Sequence, residues 1–536
     1  MPKRVLTNAQ VHSFTQDDQP ADTVIIEEGY ISAIGKASEI IPQFNDSVKI
    51  EDLRQSILMP SFTDAHIHLL AYGLSLQHIN VETPTKQNCL DRIVNPVKNT
   101  APGKWIIGHG WDHNIWPDGY GSKKDLDTLS TQHPIYLTHK SLHSGWANSF
   151  ALEKAGINHH TPDPDGGMIQ RDASGEPTGI LLESATRIVE SVIPEPDVSE
   201  RETAILEAQT SLQRFGITAA HDFDPWSVFE TLDDLHAAGK LSLRVTKGIP
   251  ESFLDTAIEK KLKSGIGNDW IKIGWLKLFS DGALGPQTAA MISPYENSQS
   301  QGMLLLSRED VIAYGEKAVP SGIGLAVHAI GDRANHEVLL AMSDLKKRGL
   351  LDIPTLRSRI EHVQLIRGED IQMFPALDIT ASMQPIHAIS DKDMADTYWG
   401  MRCVDSYAWK SILQIGAQMI FGSDAPVESP NPFYGLHAAV SRKQLGRASK
   451  KESSWIPKQC VNLQAALKAY ISTPPAVGGF GNIIGKIKLG YAADLVLLPP
   501  DFFDLPPDDI QFFLPLATMV NGKWVYKNDN INIDIL

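Results

Sequence analysis

The sequence predicts an α/β protein that combines a distorted (β/α)8 TIM-like barrel with a small β-sandwich formed by both termini. Short apolar runs alternate with stretches of helical length in the centre of the chain, a pattern typical of parallel βα units. Both ends of the chain are rich in short alternating β-type runs. One long segment, 75–205, lacks the βα pattern and predicts a large insertion after barrel strand 1.

The central apolar runs supply the strands of the predicted barrel. Amphipathic stretches such as 200–214 and 332–348 separate most of them and predict helices. Without the insertion, the length of the segment from 58 to 427 is close to that of a typical barrel of this kind, about 250 residues. We therefore expect a barrel domain over 58–479. Its eight candidate strands are 57–66, 216–222, 242–249, 271–279, 323–329, 357–363, 378–384 and 418–423.

The two ends of the chain predict one composite β-sandwich over 1–57 and 480–536. Residues 4–12, 22–27 and 30–35 read as hairpin strands, and 485–498 and 516–526 match them at the other end. Asn521-Gly522 is a strong signal for a type I′ hairpin turn. Two unrelated terminal hairpins are the alternative interpretation.

The segment 75–205 is rich in Trp, His, Gly and Pro, as in GHGWDHNIWPDGYG at 108–121 and THKSLHSGWANS at 138–149. A structureless loop of this length is uncommon inside a compact domain. The segment therefore predicts an inserted subdomain.

Composition excludes several classes of protein. With 42% hydrophobic and 21% charged residues, the 536-residue chain has ordinary globular usage. A net charge of −16 without basic clusters disfavours nucleic-acid binding. The three cysteines lie far apart, which argues against a disulfide framework, and none has a histidine at motif spacing, which argues against a cysteine nucleophile. The start has no apolar signal region and no stretch reaches membrane-spanning length, so we expect a cytoplasmic enzyme that binds no membrane.

Polar residues at strand ends predict a metal site. His66 and His68 share one face of the first strand because side chains at i and i+2 of a strand point the same way. In a barrel the carboxyl ends of all strands meet at one mouth, where catalytic groups sit. Taken singly, each residue has a structural interpretation, such as a core histidine, a snorkelling lysine or a helix cap. The other strand-end candidates are Lys277, His328, His362 and Asp424.

This ordered set resembles the binuclear amidohydrolase superfamily. The longer strings AHIHL, KLFSDGALGPQTA, VHAIGDRA, RIEHVQ and GSDAPV resemble its amidohydrolase-3 branch, whose named members include N-substituted formamide deformylases. LTHKSLHSGWANSFALEKAGI in the insertion and GYAADLVLL near the C-terminus are similar to the same branch. The resemblance covers nearly the whole chain.

The resemblance implies a role for each strand-end residue. His66, His68 and Asp424 would hold the more buried metal ion, and His328 and His362 the second. Lys277 would carry a CO₂-derived carbamate that bridges the two, since an ammonium group has no lone pair to offer a cation. Imidazole and carboxylate ligands suit Zn²⁺, with Mn²⁺, Fe²⁺ or Co²⁺ as alternatives. A one-metal site in which Lys277 makes a plain hydrogen bond remains open.

Residues near the barrel mouth are weaker candidates for substrate contact. Asp281 and Gly282 follow Lys277, while Trp111 and His143 lie in the insertion, where aromatic walls with a polar group are typical of small-molecule pockets. Asp332 is expected to cap the next helix. Relatives often read GSRTA where this chain has Gln287 in place of the arginine, which favours a neutral substrate.

The predicted reaction is hydrolysis of a non-peptide C–N bond in a small amide, N-substituted formamide, imide or carbamate-like molecule. Metal-activated hydroxide would attack, and Asp424 would act as the catalytic proton shuttle. The alternatives are an esterase, lactonase or deaminase with the same site, or a non-catalytic barrel with a binding or regulatory role. A homo-oligomer is plausible for the superfamily.

Overall fold

A computed structural model of the chain describes residues 3–16, 20–43, 49–351, 353, 355–446, 453–528 and 534–535. The parts of the predicted terminal domain at 1–2, 17–19, 44–48, 529–533 and 536 lie outside the described residues. The domain boundaries at 57/58 and 479/480 stay predictions.

Eight parallel strands form the predicted barrel, in the order of the sequence. The last strand returns to the first: Ile67 bridges to Ala425, and the backbone N–H of Asp424 donates to the carbonyl of His66 at 2.7 Å. This closure brings the carboxyl ends of the first and last strands together. The strands are β1 (Phe62–Ile67), β2 (Ile217–Asp222), β3 (Arg244–Pro250), β4 (Ile271–Phe279), β5 (Leu325–Ala329), β6 (Arg359–His362), β7 (Thr380–Met383) and β8 (Gln418–Phe421).

Helices pack around the barrel. Val198–Arg214 and Asp332–Lys347 confirm the two predicted amphipathic helices, and the first begins with a capping box between Asp197 and Glu200. The expectation that Asp332 caps its helix is wrong. The N-cap is Gly331, and the Asp332 carboxylate instead accepts the N–H of Ile292 at 2.8 Å. None of the described helices is long and apolar enough to cross a membrane. The other helices of the barrel are Leu69–Gln77, Ser227–Ala237, Leu254–Glu259, Arg308–Ala318, Met373–Leu377, Pro385–Ser390, Lys392–Tyr398, Trp409–Gln414, Pro432–Ser441, Leu463–Ile471 and Thr473–Val477.

Strands from both termini form two five-stranded sheets with an apolar cluster between them, which confirms the sandwich. Asn521 and Gly522 both have positive φ, 46° and 75°, as a type I′ turn requires. One sheet has the order Asp534–Ile535, Lys49–Asp52, Arg4–Thr7, Thr23–Glu27, Tyr30–Gly35, followed in the chain by a short helix at Ala37–Ile40. The other has the order Gln10–Val11, Ile57–Pro60, Leu495–Leu498, Ala517–Val520, Lys523–Lys527.

The predicted single strand 57–66 is two strands. Ile57–Pro60 pairs with Leu495–Leu498 in the sandwich, and β1 begins only at Phe62. Pro60 has no N–H to continue a hydrogen-bonded ladder, which explains the break. The junction places the sandwich directly below the strand that carries the HxH motif.

The insertion forms its own six-stranded sheet, as expected of a subdomain. Separate apolar clusters, one of them built around three tryptophans, cover this sheet. The strand order is Gly167–Arg171, Pro177–Glu183, Ser144–Ala147, Ile135–His139, Ile106–Trp111, Ile79–Asn80. Its helices are Lys86–Asn99, Lys123–Asp127, Ser149–Lys154 and Thr186–Glu190.

Candidate metal centre

The six predicted metal-site residues line one cavity of about 790 Å³ at the barrel mouth. Nε2 of His66 and Nε2 of His68 each lie 3.4 Å from Oδ1 of Asp424. Possible ligand atoms of His66, His362 and Asp424 all fall within 4.8 Å of one another, and the ring centroids of His328 and His362 are 4.6 Å apart. The structure therefore brings together imidazole and carboxylate groups from four strands.

The two histidines of the HxH motif each have one ring nitrogen held by a carboxylate. Nδ1 of His66 lies 2.7 Å from Oε2 of Glu361, and Nδ1 of His68 lies 3.3 Å from Oδ1 of Asp224. Because a carboxylate only accepts hydrogen bonds, Nδ1 carries the proton in both rings. In the neutral ring Nε2 then keeps its lone pair on the side of Asp424, which is the state that a metal ligand needs.

The histidines of β5 and β6 follow the same rule. Nε2 of His328 lies 3.0 Å from the carbonyl oxygen of Gly282, so this nitrogen donates and Nδ1 keeps the lone pair. Nδ1 of His362 lies 2.9 Å from Oε1 of Gln384, which leaves the lone pair on Nε2. All four tautomers are thus set by neighbours outside the cluster.

Backbone strain marks two of the strand ends. His362 has φ 73° and Asp424 has φ 63°, in the left-handed region that residues with a side chain seldom adopt. Such conformations persist when the surrounding structure holds them, and they concentrate at functional sites. Asp64 helps to fix the backbone next to Asp424, since its Oδ1 accepts the N–H groups of His66 at 3.2 Å and Ser423 at 2.9 Å.

Lys277 is buried beside the histidine cluster. Its Nζ lies 3.4 Å from Nε2 of His66 and 4.8 Å from the ring centroids of Phe223 and Phe279. Burial lowers the pKa of Lys277 to about 8. A lysine amine in this setting is nucleophilic far more often than a surface amine.

The electrostatics of the cluster match a bound cation. Although burial lowers the pKa of His68, its hydrogen bonds to Asp224 and Asp424 outweigh burial and raise that pKa to about 10. Although burial raises the pKa of Asp424, the facing histidines hold it well below the usual range. A divalent cation can replace the proton that this negative environment attracts, so these residues fit a metal ion.

His143 of the insertion lines this cavity. Its Nδ1 lies 2.8 Å from Oε2 of Glu183, and its ring centroid is 5.9 Å from that of His328. Although burial lowers the pKa of His143, the Glu183 carboxylate raises it above the ordinary value. The Thr288 hydroxyl donates to the other oxygen of Glu183, which ties the insertion to the loop after β4.

Asp281 and Gly282 have defined positions in the loop after β4. Asp281 lines the cavity, but its carboxylate accepts the N–H groups of Ala290, Ile330 and Gly331 at 2.8–3.0 Å, so its oxygens support the loops. A Cβ on Gly282 would lie 2.7 Å from Oε1 of Glu183 and 2.3 Å from the Thr288 hydroxyl. Glycine at this position leaves the space in which those two side chains meet.

Trp111 lies behind the cavity wall. Its side chain is fully buried among the tryptophans of the insertion, and its indole N–H donates to the carbonyl of Leu137 at 2.8 Å. The next residue, Asp112, lines the cavity instead. Any effect of Trp111 on a substrate would therefore act through its neighbours.

Asp112, His113 and His139 form a second group of possible metal ligands in the insertion. The N–H of Ser141 donates to Nδ1 of His139 at 3.0 Å. In the neutral ring the proton of His139 is therefore on Nε2, which faces Oδ1 of Asp112 at 3.5 Å. Asp112 and His139 line the same cavity as the strand-end histidines.

Several supporting residues escaped the sequence analysis. Glu361 also pairs with Arg359, whose Nε lies 2.5 Å from its Oε1. Two charged residues within one apolar strand are costly to bury unless they are paired. The charged residues in RIEH could therefore have predicted this buried ion pair from the sequence. Asp224, in HDFD after β2, accepts the N–H groups of Leu70 and Ala71 as well as holding His68.

A closed (β/α)8 barrel whose strand ends collect four tautomer-fixed histidines, an aspartate and a buried lysine defines a metal-dependent hydrolase. A sequence model of the amidohydrolase family matches residues 49–526, so the chain belongs to this family, in its amidohydrolase-3 branch.

Comparisons with individual proteins agree with this assignment. Protein LONG AFTER FAR-RED 3 of Arabidopsis thaliana is 30% identical over 542 residues, covering 97% of this chain and 91% of the relative. N-substituted formamide deformylase of Arthrobacter pascens is 25% identical over 547 residues, covering 98% of each chain. The crystal structure of an uncharacterized metal-dependent hydrolase from Pyrococcus horikoshii OT3 superposes with a TM-score of 0.75 at 26% identity, covering 94% of this chain and 98% of the other.

Proposed function

We propose that this protein hydrolyses a non-peptide C–N bond in a small N-substituted amide or formamide, using two divalent metal ions. The observation that carries the proposal is the set of four histidines whose tautomers leave lone pairs for a metal beside Asp424. The similarity to an N-substituted formamide deformylase over 98% of both chains supports the choice of bond.

The residues divide into two ligand groups. His66, His68 and Asp424 would hold one cation, since both histidine Nε2 atoms lie 3.4 Å from Oδ1 of Asp424. His328 and His362 would hold the second, and Lys277 would bridge the two as a carbamate. The position of the Lys277 amine, beside His66 and between two aromatic rings, supports the bridge. Nitrogen and oxygen donors without thiolate favour Zn²⁺.

When bound, such cations act as Lewis acids that polarise the substrate carbonyl and lower the pKa of water. Asp424 lines the cavity and its oxygens face the histidine cluster, so it can accept a proton from the attacking water. The same carboxyl group then donates that proton to the leaving nitrogen. One C–O bond forms and the C–N bond breaks; a formamide yields formate and an amine.

The test combines metal analysis with product analysis. We expect purified protein to bind two equivalents of a transition metal and to release formate and butylamine in equal amounts from N-butylformamide. His362→Ala should lose metal and activity. His336→Ala should retain both, because His336 pairs with Asp370 away from the cluster.

Two results would contradict the proposal. Turnover that persists after complete removal of metal by a chelator would exclude the metal mechanism. Protein that holds two metal ions and cleaves esters or lactones, but no amide, formamide, imide or carbamate, would exclude the C–N bond.

A further inference from the structure

Gln364 and His387 form a polar wall of the cavity next to Asp424. Gln364 follows His362 by two residues, and His387 lies in the helix Pro385–Ser390 after β7. Both residues line the cavity and are buried, with 3% and 5% of their surface exposed. Nε2 of Gln364 lies 3.2 Å from Nδ1 of His387, and Nε2 of His387 lies 3.9 Å from Oδ2 of Asp424.

The contact between the two side chains fixes the orientation of both groups. Nε2 of Gln364 faces Nδ1 of His387, and because an amide NH₂ group only donates hydrogen bonds, Nδ1 is the acceptor. In the neutral ring the proton of His387 is then on Nε2, on the side of Asp424. The amide oxygen of Gln364 is therefore on the side of the amide group that faces away from Nδ1 of His387.

That oxygen, Oε1 of Gln364, is buried and has no hydrogen-bond partner among the described residues. Buried polar atoms without a partner are rare in native proteins, and each requires an explanation. Because Gln364 lines the cavity, a molecule bound there can offer a donor to this oxygen.

We propose that Gln364 is a specificity-determining residue whose Oε1 accepts the N–H of the scissile amide, and that His387 is the positioning residue that orients it. The preferred substrates are therefore secondary amides, which carry one N–H on the leaving side. This inference rests on the proposed function, because it takes the molecule in the cavity to be an amide.

The position suits the leaving nitrogen. The same wall contacts Asp424, the carboxyl group that must meet this nitrogen to protonate it. A tertiary amide or an ester has no N–H to offer, so Oε1 would stay buried and unpaired when either one binds. Sites built around such a hydrogen bond discriminate strongly against analogues that lack the donor.

The experiment compares three substrates that differ only in the group between the formyl carbon and the butyl chain, which is NH, N–CH₃ or O: N-butylformamide, N-butyl-N-methylformamide and butyl formate. For the metal-loaded wild type we expect the highest kcat/KM with N-butylformamide. Gln364→Met should lower the ratio of secondary to tertiary amide by at least about ten-fold, mainly by reducing kcat/KM for the secondary amide. His387→Leu should lower the same ratio, because the amide of Gln364 is then free to turn. Met394→Leu, a change in the same cavity without a polar group, should leave the ratio unchanged.

Binding provides a readout that needs no turnover. Thermal stabilisation of the metal-loaded protein by N-butylacetamide and by N-butyl-N-methylacetamide gives their relative affinities. Preference for the secondary amide that Gln364→Met removes supports the inference even if the protein cleaves no amide, formamide, imide or carbamate, a result that would reject the proposed function alone. Hydrolysis of formamides with an unchanged secondary-to-tertiary ratio in Gln364→Met would overturn the inference and leave the proposed function standing.

Discussion

Oε2 of Glu361 lies 2.7 Å from Nδ1 of His66, although 295 residues separate them in the chain. Both side chains are fully buried, and Arg359 neutralises the glutamate with a second ion pair. The arrangement fixes the tautomer of His66 and makes Nε2 a better donor to a cation.

The first prediction concerns this pair. Glu361→Gln should weaken metal binding at the site of His66 by about 10- to 100-fold, because an amide supports the imidazole less strongly than a carboxylate. Metal content after dialysis against graded chelator measures the effect. Glu230→Gln, on an exposed part of the helix Ser227–Ala237, is the matched control. Equal metal retention in both variants would remove Glu361 from the support of the centre.

The second prediction concerns the bridge. Lys277→Ala should lose most of the second metal equivalent and most activity, because the protein then lacks the group that joins the two ligand sets. Acetate or propionate should partly restore both, since a short carboxylate fits the space that the side chain leaves. Metal analysis and formate release with and without the carboxylate measure this rescue. Full metal content and normal rates in Lys277→Ala would exclude a carbamate.

Local patterns were enough to select six residues that the structure brings together at the barrel mouth. His66 and His68 follow from the two-residue period of a strand, and the other candidates end short apolar runs, so each signal lies within about ten residues. The supporting groups could not be placed in the same way. Glu183 and Asp224 meet their histidines only through tertiary contacts across 40 and 156 residues.

The insertion shows a similar limit. The sequence analysis made Trp111 a candidate for a substrate-contacting aromatic wall. Alternation along the strand Ile106–Trp111 turns Trp111 into the apolar cluster, while the next residue, Asp112, lines the cavity. A list of aromatic residues without the register of their strand cannot separate these two positions.

The third prediction tests the proton shuttle. Asp424→Asn should reduce kcat by about 10²- to 10⁴-fold, since an amide cannot accept the proton from water. Metal content should stay close to that of the wild type, because the histidine ligands remain. Asp391→Asn alters another carboxyl group of the cavity and should have a much smaller effect on kcat. A near-normal kcat for Asp424→Asn would exclude this role.

The fourth prediction concerns the histidine from the insertion. His143→Ala should change the order of preference within a panel of N-substituted formamides, with metal content unchanged, because the side chain lines the cavity outside the two ligand groups. Glu183→Gln should shift the panel in the same direction, since its carboxylate holds the ring. His160→Ala, an exposed histidine of the insertion, is the control. Identical kinetics across the panel would leave His143 a structural residue.

The last prediction concerns acid stability of the sandwich. Glu51 is buried, and its carboxylate joins the two ends of the chain: Nε of Arg4 lies 2.8 Å from its Oε1, and the indole N–H of Trp524 donates to its Oε2 at 2.7 Å. Although burial raises the pKa of Glu51, these hydrogen bonds and the Arg4 charge outweigh burial and lower it below 4.5. A carboxyl group with a lowered pKa in the folded state adds stability that is complete above its unfolded pKa and is lost as the pH falls through its folded pKa.

Glu51→Gln should therefore destabilise the sandwich by about 2 kcal/mol at pH 7, the cost of losing hydrogen bonds to a charged acceptor. The difference from the wild type should shrink as the pH falls below 4.5, because protonation then removes the same charge from the native residue. Hydrogen exchange of the amides in Arg4–Thr7 and Lys523–Lys527 measures the effect locally. Glu28→Gln, exposed in a turn of the same sheet, should change exchange little at either pH. A difference between Glu51→Gln and wild type that stays constant from pH 7 to the acid range would show that the carboxylate charge does not stabilise the joined ends.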